Sequence, residues 1–321
     1  MRRRAEADYT LEIFVYLVIA AVVLFVAWAL LFSTRRLREE RESNDARLSD
    51  PKERVREIEA SNKTNTLLLL FLTVLVAVAF SLLPRIPQSQ AYHCFADRRS
   101  LLGIPNFGDV ASNIPFGVIG IWGLFLLLRL NSELPTMSFL DSRERWPYIL
   151  LFIGLFLTGF GSAYYHLSPS NARLVWDRLP MTIAFMSMVA AVIAEHVSVR
   201  VGLWSLPILL LIGTASVFQW YTSEARGAGD LRFYAAVQAY SALVVLLALA
   251  LPKRYTRRSD WAAVVGFYAL AKILESLDKP IFGLGQVVSG HTLKHLAAAA
   301  AGYWILRILQ KRRAADIPLG V

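Results

Sequence analysis

Cysteine is almost missing from this chain: Cys94 stands alone among 321 residues. No intramolecular disulfide can form, and the redox compartment is not written in the sequence. Charge is sparse as well, at 18% Asp, Glu, Lys and Arg, below the roughly 25% of an ordinary soluble domain. The long apolar runs lack period-two alternation, which excludes a transmembrane β-barrel. The first run, 11–32, lacks a small-residue cleavage site and is expected to be retained as a helix rather than removed as a signal peptide. Histidine is scarce too, with five in all, so the spacing of those five is informative.

What the chain has is hydrocarbon. It is 56% hydrophobic, with a mean hydropathy of +0.46. Apolar runs of about 20 residues recur, the length that crosses ~30 Å of bilayer as a helix. Nine spans are expected, at 11–32, 65–84, 109–129, 147–166, 176–194, 203–220, 232–251, 261–278 and 290–308. Residues 33–64 differ in kind. Their mixed charges suggest a solvated helical linker, interrupted at Pro51, with no chemistry of its own.

The net charge of +10 would suggest a nucleic-acid partner for a soluble protein. In a membrane protein it marks basic loops, and no nucleic acid is expected. Counting Lys and Arg on alternate sides of nine spans gives 11 on the side holding the 167–175 loop and 20 on the other. The positive-inside rule makes the richer side cytoplasmic, with the C-terminus inside. Arg2, Arg3 and Arg4 count mildly against this assignment.

That topology gathers the residues able to do chemistry. His291 and His295 open the last span four residues apart, so one helix face carries both imidazoles. Ser162 and His166 close span four at the same spacing, and Asp177 opens span five. Four crossings separate Asp177 from His291, so all five residues belong to one membrane face, the external one. Imidazoles at the edge of hydrocarbon need a partner, and a metal ion is a common one. Three histidines make a catalytic zinc set that leaves a fourth position for water. Ser162 could bond an oxyanion or approach the metal. Asp177 could move a proton, or simply pair with Arg173 or Arg178.

Other polar residues have plainer readings. His93 is a rival ligand on the same side, but Tyr92, Cys94 and Phe95 beside it suggest interfacial packing. His196 lies on the opposite side next to Glu195, as an interfacial residue. Lys272 and Glu275 suit an ion pair, and Glu275 and Asp278 could support the site from behind. Asp97, Asn106, Asp109 and Asn113 gather oxygen atoms before span three, as a helix cap or as ligands for calcium.

At these residues the chain resembles the alkaline ceramidase family, within the superfamily that includes adiponectin-receptor-like proteins. The resemblance covers roughly Tyr92 to Leu309 and rests on Ser162-x-x-x-His166, Asp177 and His291-x-x-x-His295. It implies an all-α integral membrane protein: a seven-helix zinc-hydrolase-like bundle, here preceded by two extra transmembrane helices. Residues 1–91 would form that N-terminal extension, and 92–321 the catalytic domain. The resemblance further implies zinc on His166, His291 and His295, with Ser162 and Asp177 catalytic, and hydrolysis of the N-acyl amide of ceramide or a similar lipid. Phe95 to Asn106 matches the family's acidic calcium segment poorly, which argues against calcium. The expected partners are a lipid amide substrate and membrane lipids, with a bacterial inner (plasma) membrane as the location. The alternatives are a receptor-like or scaffold protein with a structural zinc, a zinc hydrolase of a different lipid, or a transporter.

Overall fold

The computed structural model describes residues 51–129, 138–251 and 255–313, with side chains from residue 62 onward. The expected span 11–32 and most of the charged linker lie outside the described residues. Within them the chain is helical, with no β-strand. A long helix α1 (Pro51–Leu82) comes first, then α2 (Phe107–Ala111), α3 (Ile114–Arg129), α4 (Arg145–Leu167) and α5 (Asn171–His196). There follow α6 (Val199–Ala225), α7 (Arg232–Ala250), α8 (Asp260–Ser276), the short α9 (Asp278–Gly283) and α10 (Gly290–Lys311).

This is an all-α membrane protein. Six stretches among the described residues are long and apolar enough to cross a bilayer: 62–82, 107–129, 142–167, 171–196, 199–225 and 232–250. Helix α8 has only 17 residues, and α10 carries His291, Lys294 and His295 in its first turns, so neither joins the six by length and composition. Outward faces are apolar, with Phe71, Val74, Trp204 and Leu211 all exposed. A patch of that kind is stable only against lipid or another protein.

Helix boundaries follow local chemistry. The third expected span is not one rod: α2 stops at Ala111 and α3 starts at Ile114. Pro115 explains the joint, because it has no N–H to donate and its ring would meet the carbonyl of Ala111, four residues back. The eighth span also ends early, at Ser276, and Pro280 sits in the first turn of α9, where a missing N–H costs nothing. Ser289 caps α10 by accepting from the Thr292 backbone N–H at 3.0 Å, the cap chemistry expected of serine.

Helices α4 and α5 pack closely because glycine lets them. A Cβ on Gly154 would stand 2.7 Å from the Ala184 nitrogen, and one on Gly161 would collide with the Trp176 carbonyl. Small residues seven apart lie on one helix face and allow backbones to approach in a membrane. The approach sets Ser162 of α4 opposite Asp177 of α5. Helix α1 packs on α7, with Thr73 and Tyr240 hydroxyls 2.9 Å apart.

Candidate functional site

The last turn of α4 and the first two turns of α10 bring three histidines together. The ring centroids of His166, His291 and His295 lie 4.9 Å from one another on every side of the triangle. All three are buried, and one ligand nitrogen from each falls within 4.8 Å of the others. Among the described residues this is the group of His, Cys, Asp or Glu side chains gathered closely enough to hold an ion.

The hydrogen-bond inventory fits an ion there. Neither nitrogen of His166 has a partner although both are buried. Leaving a buried polar atom unpaired costs about 1–3 kcal/mol, so two on one ring call for a ligand. His295 is oriented by a neighbour: Ser112 Oγ lies 2.8 Å from its Nδ1 and 3.1 Å from the Asp109 carbonyl oxygen. If the hydroxyl donates to that carbonyl it accepts from Nδ1–H, and the Nε2 lone pair is left for an ion. The break before Pro115 is what places Ser112 there.

Phe95 packs on the triangle, with its ring 4.6 Å from that of His166 and 4.4 Å from that of His291. Its loop is pinned to α10 by Asp278, which accepts from the backbone N–H groups of both Ala96 and His291 at 2.9 Å. Arg99 strengthens the same loop. It grips Asp97 at 2.7 Å and reaches the carbonyls of Gln286 and Val287 at 2.6 and 2.8 Å. The guanidinium holds the Asp97 carboxyl below the usual carboxylate range.

Each remaining candidate has a protein partner. Asn106 donates to the His166 carbonyl at 2.8 Å, and Asn113 to the Asp109 carbonyl at 2.7 Å. Asp109 accepts from the Thr292 and Ser289 hydroxyls at 2.8 and 3.3 Å. Glu275 takes Lys272 at 2.6 Å and Lys294 at 3.0 Å. His93 bridges Tyr165 and Asn171 at 2.8 and 2.9 Å and stands apart from the triangle. Neither arginine suggested for Asp177 takes it. Arg173 reaches the Tyr164 carbonyl and Arg178 reaches Gln88, while Asp177 lines the same cavity as Ser162.

Beneath the histidines lies a cavity of about 140 Å³. Ser162, Asp177, Lys294 and His295 form its polar end, and apolar side chains such as Leu151, Met188, Val264 and Ile305 line its depth. Ten residues of α10, or ~15 Å of helix, separate His295 from Ile305. Lys294 escaped the sequence reading, although its position three residues after His291 put it on the same face. Gln238 and Tyr268 also line the cavity and hydrogen-bond to each other at 3.2 Å. No sequence spacing connects them.

A family model described as ceramidase matches residues 87–275, more than half of the chain. The protein belongs to the ceramidase family. Membership makes it a hydrolase of the amide-cleaving kind and implies a lipid amide substrate. The matched region holds Ser162, His166 and Asp177 and ends before α10, so the His291–His295 pair is a contribution of the fold outside the match. No curated protein matches the chain.

Proposed function

We propose that the protein is a membrane-embedded zinc amidase that splits the N-acyl amide of ceramide or a similar lipid into a fatty acid and an amine. The observation that carries this reading is the buried three-histidine triangle beside an apolar cavity. His166, His291 and His295 would hold the ion. A structural zinc normally takes four protein ligands, so a set of three supports a catalytic role. Bound zinc supplies a Lewis acid and, at neutral pH, an activated water.

The residues of the chain do the rest. Apolar walls between α3, α4, α5, α7, α8 and α10 bind and orient the acyl chain, as expected of a largely apolar pocket. The scissile carbonyl then lies at the polar end, and the Ser162 Oγ–H donates to its oxygen as charge develops there. The Asp177 carboxylate takes a proton from the attacking water and returns it to the departing nitrogen. Phe95 keeps bulk water from the histidines. The charge bias of the loops supports a site near the external face of a bacterial plasma membrane with the C-terminus inside, and residues 1–91 as an extension outside the catalytic domain.

The test uses purified, zinc-loaded protein and measures fatty acid released from ceramide and other N-acyl lipids. Asp177→Ala is expected to retain zinc and lose activity by at least ~100-fold, while His295→Ala loses both. Full zinc occupancy with no hydrolysis of any lipid amide would sink the proposal.

A further inference from the structure

Lys294 is a cation inside a cation site. Its Nζ lies 3.1 Å from His291 Nε2 and 3.0 Å from Glu275 Oε1, and its side chain is largely buried. Glu275 also receives Lys272 at 2.6 Å and the Tyr92 hydroxyl at 3.3 Å. One carboxylate therefore serves two ammonium groups, one on α8 and one facing the histidines.

We infer that Lys294 opposes the metal ion and that Glu275 sets how strongly it does so, which makes the α8–α10 ion pair a tuner of metal affinity. An imidazole nitrogen has one lone pair. If the ion takes His291 through Nε2, the ammonium must leave that atom and rely on Glu275. If the ion takes Nδ1, the ring proton lies on Nε2, which can no longer accept from the ammonium, and Lys294 again relies on Glu275 while its positive charge stays beside the ring. In both cases like charges are forced together at low dielectric, where repulsion is far stronger than in water. A carboxylate touching the ammonium offsets that repulsion. The inference builds on the metal assignment above but not on the reaction.

Opposite signs distinguish this role from simple structural support, which would weaken binding in every variant. Zinc affinity is measured on the purified, metal-stripped full chain by competition with a chromophoric chelator, without substrate. Lys294→Met is expected to tighten zinc by tenfold or more, and Glu275→Gln to weaken it by tenfold or more. The double variant should resemble Lys294→Met, because Glu275 acts through Lys294. Lys294→Arg keeps the charge and should stay within threefold of wild type. Helical circular dichroism identifies any variant that misfolds, and Lys294→Gln then reports the sign in place of Lys294→Met. Unchanged or weaker zinc binding on removing the Lys294 charge overturns the inference. A wild type that binds no zinc overturns it together with the metal assignment. Normal zinc binding and tuning without lipid hydrolysis overturns the reaction alone.

Discussion

The two ends of this helical bundle treat buried polarity differently. At the end formed by the C-terminus of α5 and the residue after α10, Glu195 and Arg312 are both buried and pair at 2.5 Å. Tyr148 donates to the same carboxylate at 2.7 Å, and Arg312 also reaches the Ser138 carbonyl at 2.8 Å. The guanidinium lies over the rings of Phe139, Tyr148 and Tyr255, and the Tyr255 hydroxyl bonds to Glu144. At the histidine end, His166 has two buried nitrogens without partners. Charges that hold the fold together are paired within the chain. At His166 the buried nitrogens are left open, and the fold bears their cost.

Three changes probe that contrast, in order of expected size. Arg312→Met strands the Glu195 carboxylate and should destabilise the protein by about 3–5 kcal/mol, read as a fall in thermal midpoint. Zinc affinity of the folded fraction should stay at the wild-type value; a parallel loss of zinc would show the two ends to be one unit. Ser112→Ala acts at the histidine end. Losing the group that orients His295 should weaken metal binding by about 10–100-fold with little change in thermal midpoint, and an unchanged affinity would remove Ser112 from the account. The smallest effect is that of pH on the Phe95 loop. The carboxyl of Asp97 titrates below its unfolded value because of Arg99. Its contribution to stability is therefore present above about pH 4 and lost as pH falls through the lower folded value. The protection factor of residues 95–99 against hydrogen exchange, taken relative to the intrinsic rate at each pH, should fall on acidification, and in Asp97→Asn it should be low already and insensitive to pH.

Much of the site was legible because helix periodicity and span parity are sequence properties. The two four-residue spacings placed Ser162 below His166 and His295 below His291, and the crossing count brought them to one face. The break between α2 and α3 was hidden inside an apolar run. Only Pro115 marked it, and with it the position of Ser112. Lys294 was overlooked because its partner Glu275 sits on another helix, and no spacing rule links the two. The Glu195–Arg312 pair joins residues 117 apart in sequence, so no spacing links them, and His196 beside Glu195 reads only as interfacial. Local pattern reveals what one helix presents. Partners chosen across helices need the packing that Gly154 and Gly161 allow.

The measurement closest to the central claim is the metal content of the purified protein, counted by mass spectrometry beside His166→Ala. The account predicts one zinc per wild-type chain and none retained by the variant, with both equally helical. A wild-type protein that remains metal-free after zinc loading, or a variant that keeps its zinc, would contradict it.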